Sequence, residues 1–190
     1  MLKVGVLDLQ GSVKEHIQML NEIRNVEPIR VKYAHELEKI DGLIIPGGES
    51  TAIGKLLKEF NIHDLLKKRI KEGMPVWGTC AGMILLAKNI EGNEEAHLGV
   101  MDITVRRNAY GGQLHSFMIE KVVPSISDNP IPLGFIRAPY IIKVGEKVEI
   151  LEEIDGHIVA ARQKNMLATS FHPELTLDKT VHKYFIERFF

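Results

Sequence analysis

A chain of 190 residues, 45% hydrophobic and 26% charged, is long enough to bury a full core as one domain (1–190) and has the make-up of an ordinary soluble globular protein. Its 24 Lys and Arg against 25 Asp and Glu leave a net charge of -1, which removes the electrostatic case for nucleic acid or an anionic membrane as partner. A single cysteine excludes an internal disulfide and suits a reducing compartment; with no signal-peptide core after Met1 and no apolar run of membrane-spanning length, the expected location is the cytoplasm.

Residues 3–9 are apolar and β-rich and end at Gln10-Gly11, after which Ser12 is placed to cap a helix with Val13, Ile17 and Leu20 on one face. A second strand over 26–31 contains Pro28, which cannot donate to a ladder and so puts that strand towards a sheet edge. Leu43-Ile44-Ile45 is the all-apolar type of run found inside a parallel sheet. It stops at Pro46-Gly47-Gly48-Glu49-Ser50-Thr51, where adjacent glycines mark a backbone that takes φ > 0 or approaches a ligand closely. Ser50 or Thr51 then caps a helix with Ile53, Leu56, Leu57 and Phe60 inward, and a polar helix over 63–72 follows.

The next stretch, 75–87, holds the cysteine: apolar residues to Thr79, then Cys80 flanked at two places on either side by Gly78 and Gly82, then an apolar run from Met83 to Ala87. This reads as strand, sharp turn and buried helix, the cysteine version of a nucleophile elbow, in which small neighbours let the turn lie close to strand and helix. The helix beginning near Ala81 points free N–H groups at the sulfur, favouring thiolate and offering a donor to a developing oxyanion.

Strands alternating with helices to this point predict an α/β fold with an open, mainly parallel central sheet. Beyond Asn89 short strand-like runs at 98–105, 115–122, 133–136, 141–144, 148–151 and 157–161 predict antiparallel additions to that sheet, with the proline-bearing 121–132 as a connecting loop. A last unit places a strand over 166–171, His172-Pro173-Glu174 at its exit, and a closing helix with Val181, Tyr184, Phe185 and Phe189 inward.

Ligand sites of open parallel sheets lie beyond the carboxyl ends of the strands. Gln10, the Gly47-Gly48 pair, Cys80 and His172 each follow a predicted strand, so one sheet edge can gather them. Proline after His172 biases it to extended backbone, where residues i and i+2 face the same side, so Glu174 can orient the imidazole as base for the thiol. The oxyanion donors would be the Ala81 N–H and a backbone N–H of the Gly47-Gly48 pair, whose peptide glycine leaves free to flip. No His, Cys and carboxylate grouping has metal-ligand spacing, and neither a metal nor another cofactor is expected. His16, His63 and His182 read as helix-surface residues.

Gly-Thr-Cys-Ala-Gly, Pro-Gly-Gly-Glu-Ser-Thr and a late His-Pro-Glu together resemble the class I (triad) glutamine amidotransferases. Leu9-Gln10-Gly11, Arg107-Asn108-Ala109-Tyr110-Gly111 and Phe135-Ile136-Arg137-Ala138-Pro139 narrow the resemblance to the glutaminase subunits of pyridoxal phosphate synthases. The resemblance implies a flavodoxin-like fold, Cys80 as nucleophile, His172 as base then acid, and Glu174 as its orienter. It implies that glutamine is held by Gly47, Gly48, Glu49, Arg107, Ile136 and Arg137, with Gly48 and Ala81 forming the oxyanion hole. It further implies a barrel-shaped pyridoxal phosphate synthase subunit as partner and receiver of ammonia, on whose docking activity depends; the flippable glycine peptide is the expected switch, with Gln10 near enough on the neighbouring strand end to sense it. Gly111-Gly112-Gln113 departs from the family's Gly-Arg-Gln. Alternatives are the glutaminase of imidazole glycerol phosphate synthase, a non-catalytic interaction subunit of the same fold, and a cysteine peptidase.

Overall fold

A computed structural model describes residues 1–92, 94–107 and 116–190. In chain order the elements are β1 Leu2–Leu7, α1 Val13–Asn21, β2 Val26–Val31, α2 Ala34–Leu37, β3 Gly42–Ile45, α3 Ser50–Glu59, α4 His63–Lys71, β4 Val76–Thr79 and α5 Ala81–Leu86. They continue as β5 Ala87–Ile90, β6 Met101–Arg106, β7 Ser116–Val123, β8 Ser127–Ile136, β9 Tyr140–Val144, β10 Glu149–Ile154, β11 His157–Gln163, β12 Met166–Thr169 and α6 Thr180–Phe189, with a single 3-10 turn at Pro173–Leu175.

The main sheet runs β2-β1-β3-β4-β12-β11-β9-β6-β5, with β10 paired to β11. Its first five strands are mutually parallel, and antiparallel pairing begins where β11 meets β12. This is the α/β fold with a mainly parallel centre that the alternation of strands and helices predicts. β2 is an edge strand, as Pro28 requires.

Alternation along the central strands divides the apolar residues between two layers, since successive side chains face opposite sides. Leu43, Ile45 and Val76 join one buried cluster with Ile53, Leu57, Leu66 and Ile70 of α3 and α4. Ile44 and Trp77 join the other, with Val13 and Leu20 of α1, Val181 and Phe185 of α6, and Leu133 and Phe135 of β8.

Four local readings change. The stretch 121–132 is mostly strand rather than loop: β7 and β8 form a two-stranded antiparallel sheet separate from the main one, with Pro132 opposite Glu120. Among the described residues β8 pairs only with β7, so its prolines, which lack an N–H, sit where one side of the strand needs no donors. The apolar run 83–87 changes element at its end, Ala87 opening β5 beside β6. The cap of α3 is Glu49, whose carboxylate accepts from the N–H groups of Thr51 and Ala52. Ser12 stands at the start of α1 but makes no side-chain cap, its hydroxyl being engaged elsewhere.

Candidate active site

The parallel register places Ile45 beside Gly78 and Thr79 beside Thr169, so β3, β4 and β12 end at one level. The chain segments leaving these strands, with the one leaving β1, enclose an open pocket of about 490 Å³. Gln10, Gly47, Gly48, Glu49, Cys80 and Ala81 line it from the parallel half, and Arg107, Ile136, Arg137 and His172 complete it. Every site residue expected from the sequence lines this pocket except Glu174, which is 4% exposed and lies behind His172.

Cys80 occupies a sharp strand-to-helix turn at φ 49° and ψ -102°. Its N–H donates to the Thr169 carbonyl at 2.8 Å, tying the turn to β12. The flanking glycines are required by close backbone approach: a Cβ on Gly78 would lie 2.4 Å from the Gly82 carbonyl, and one on Gly82 would lie 2.2 Å from the Ile45 oxygen. Arg137 is the other non-glycine residue lining the pocket with positive φ, at 42°. Backbone held in such regions is commonly found at ligand sites.

The Gly47-Gly48 pair does not take positive φ. Its glycines are needed for contact: a Cβ on Gly47 would meet the His172 ring at 2.3 Å, and one on Gly48 would meet Gln10 Oε1 at 2.4 Å. The Gly47 carbonyl accepts from the Ser12 N–H at 3.0 Å. Gln10 Oε1 accepts from the Glu49 N–H at 2.8 Å, so Gln10 is bonded directly to this loop.

His172 Nδ1 donates to Glu174 Oε1 at 2.8 Å. The pairing expected from the spacing is present, although a 3-10 turn with Pro173 at its start brings the carboxylate round rather than a fully extended chain. Burial pulls His172 down, but hydrogen bonds with Cys80 and Glu174, together with their charges, outweigh it and raise its pKa to about 10. Burial pushes Glu174 up, yet His16, His172 and the Ser12 hydroxyl overcome it and hold the carboxyl at about 2. Arg107, at the rim, pairs with Glu94 at 2.6 Å and with Glu49 at 3.2 Å. The segment with Asn108, Tyr110, Gly111, Gly112 and Gln113 lies outside the described residues.

Several participants escape the sequence reading. Ser12 Oγ donates to Glu174 Oε1 at 2.6 Å. His16 and His182, read as surface residues, are fully buried, with His16 Nδ1 2.9 Å from His182 Nε2. The two rings contact Trp77 edge-on, at centroid separations of 5.7 and 4.9 Å. The legible signal was helical spacing: His16 shares the α1 face of Val13 and Leu20, and His182 adjoins Val181 and Phe185 on the inner side of α6. His63 is also partly covered, its Nε2 2.9 Å from the His97 carbonyl.

A family model described as the SNO glutamine amidotransferase family matches residues 6–190. A relative from Clostridium botulinum (strain Loch Maree / Type A3), named pyridoxal 5'-phosphate synthase subunit PdxT, is 61% identical over 189 residues, covering 100% of this chain and 98% of its own. A protein of the same name from Ruminiclostridium cellulolyticum is 59% identical over 187 residues, with 98% and 99% covered. A crystal structure of a glutamine amidotransferase matches with a TM-score of 0.90 at 45% identity over 97% of both chains. The amidotransferase fold, the glycine-flanked cysteine elbow and these full-length matches agree, and the chain belongs to the SNO glutamine amidotransferase family.

Proposed function

We propose that this chain hydrolyses L-glutamine to glutamate and ammonia through Cys80, His172 and Glu174, and passes the ammonia to the synthase subunit of a pyridoxal phosphate synthase. The observation that carries the chemistry is His172, bonded to buried Glu174 at 2.8 Å and lining the same pocket as the cysteine of the elbow. The pathway rests on relatives 59–61% identical that are named as subunits of that synthase.

Cys80 Sγ attacks the side-chain amide carbon with the proton of the pair already held on His172, whose pKa is raised to about 10. The oxyanion is received by the Ala81 N–H, a free donor at the start of α5, and by the Gly48 N–H; each well-placed donor is worth roughly 2.7–4 kcal/mol of barrier. Imidazolium on His172, steadied by Glu174, then protonates the departing nitrogen, leaving a thioester on Cys80 and free ammonia. Water attacks the thioester, giving its proton to His172, and glutamate leaves the sulfur with that proton kept on the imidazole. Arg107 and Arg137 flank the space for the glutamine α-carboxylate, with Gly47, Glu49 and Ile136 forming the rest of the cradle. Arg107 must exchange an existing carboxylate partner to bind it. Gln10, bonded to the Glu49 N–H, couples the first strand to the oxyanion loop, a place where docking of the synthase subunit can be sensed.

The reading makes this a thiol-dependent glutaminase working as a single domain in a cytoplasmic heteromeric complex, with no metal. The test is glutamate release from L-glutamine by the purified chain, alone and with a pyridoxal phosphate synthase subunit, beside Cys80→Ala. Stimulation by the subunit and loss in the variant are expected. Turnover unaffected by the synthase would remove the pathway, and turnover surviving in Cys80→Ala would remove the chemistry.

A further inference from the structure

The carboxylate of Glu174 has two oxygens, and His172 uses one. Oε2 is fully buried with no hydrogen-bond partner in good geometry among the described residues, yet His16 Nε2 stands 3.5 Å away, with both side chains 0% exposed. Leaving a charged oxygen undonated inside a protein is expensive, because the desolvation penalty is met by nothing. We propose that Ser12, just before α1, and His16, one turn later on its inner face, are the positioning residues of Glu174: Ser12 donates to Oε1 and His16 donates from Nε2 to Oε2, with His182 fixing the His16 tautomer from behind. This rests on the glutaminase reading above.

An ionised carboxylate only accepts, so the nitrogen facing Oε2 must carry the hydrogen. His16 Nδ1 is then an acceptor, and the hydrogen in its 2.9 Å contact with His182 belongs to His182 Nε2. His182 Nδ1 is left as a bare acceptor, and it is indeed buried without a partner among the described residues. The opposite tautomers would set lone pairs against each other at Oε2 and leave an N–H of His182 buried with no acceptor. The proposed direction is the one in which Oε2 receives a hydrogen and His182 Nδ1 is left as an acceptor rather than as a buried N–H.

The ionisable groups facing His16 are Glu174 and His172 from the exit of β12, His182 from α6 and Glu15 from its own helix. Thr79 Oγ1, 3.4 Å from His16 Nε2, is the remaining polar neighbour. Burial lowers the pKa of both rings, against the pull of Glu174, so His16 acts as a neutral donor. The start of α1 thus keeps Glu174 ionised and turned towards His172, which gives up its proton to the leaving nitrogen and regains one from water in each turnover.

The experiment measures glutamate release by the full chain with its synthase subunit across pH, for His16→Leu, His16→Gln, Ser12→Ala and Cys80→Ala. His16→Leu should lower kcat roughly 10- to 100-fold, the range for a lost hydrogen bond to a charge, with KM changed by less than about twofold. Its kcat/KM profile should lose activity on the acid side at higher pH, because Glu174 protonates more easily. His16→Gln, whose amide nitrogen reaches the Nε2 position, should recover most of the rate, and Ser12→Ala should share the kcat loss. Nitrogen-15 histidine NMR of the wild-type chain should find hydrogen on Nε2 of both His16 and His182, which keeps the proposal testable if His16→Leu does not fold. Wild-type kcat and pH profile in folded His16→Leu, or hydrogen on His16 Nδ1, would overturn the positioning role while an inactive Cys80→Ala leaves the glutaminase reading standing. Full turnover in Cys80→Ala would instead remove that reading.

Discussion

At Cys80 the backbone stores strain of about 1–3 kcal/mol, the ordinary cost of holding a residue with a Cβ in such a conformation. The bond from its N–H to Thr169 and the contact of Gly78 with Gly82 hold it there. His172 and Glu174 carry a pH signature of opposite sign at each end. His172, raised from 6.5 to about 10, adds stability that is complete below pH 6.5 and drains away as pH rises towards 10. Glu174, lowered from 4.5 to about 2, adds stability that is complete above pH 4.5 and is lost as pH falls towards 2. At about 1.4 kcal/mol per pH unit of displacement, the carboxylate contributes on the order of 3 kcal/mol. The gap in Tm between the wild-type chain and Glu174→Gln should therefore be widest between pH 4.5 and 6.5 and narrow on either side. A gap that stays constant from acid to alkaline pH in thermal melts would contradict this account.

Among the elements, β4, the Cys80 turn and α5 form a tightly constrained unit. A methyl group on Gly82 would press on the Ile45 carbonyl, which is backbone and cannot swing aside. Gly82→Ala should cost about 1–3 kcal/mol or more in urea denaturation, the scale of overpacking, and should lower turnover of the folded fraction by shifting Cys80. The β7–β8 hairpin matters for a different reason. The Gly134 carbonyl accepts from the His172 N–H at 2.7 Å, and the end of β8 delivers Ile136 and Arg137 to the pocket. The stretch 121–132, read from its prolines as a connection, thus builds the hairpin that carries this wall of the site.

Across the whole molecule, the layer of α1, α6 and β8 is both core and support for the site. Phe185 is fully buried and packs against Trp77 at a centroid distance of 5.7 Å, while Trp77 contacts the two histidines behind Glu174. Phe185→Ala should cost about 3–5 kcal/mol, measured by denaturant unfolding, through lost transfer energy and the cavity left behind. A loss under about 1 kcal/mol would mean that α6 is not a full partner in this core.

The nucleophile elbow, the glycine pair, the His-Pro-Glu exit and the alternation of strands and helices were legible because each is a local requirement of turn geometry or periodicity. Their meeting in one pocket also followed, since parallel strands end at one level and sites collect there. Helical spacing hinted that His16 and His182 face inward, but the pairing of these histidines and the bond of Ser12 to Glu174 were not legible. Whether a histidine on a helix is solvated or buried depends on what packs against that face, and α6 comes more than 150 residues after α1. For the same reason Ser12 gave up a capping bond for a carboxylate far along the chain, and prolines that suggest a loop were accommodated on a strand with an open edge. Sequence alone determined which residues are the candidates for the chemistry, because those choices are made within a few neighbouring positions. Tertiary structure alone decided what holds them in place, because burial and long-range pairing arise only when distant segments close on one another.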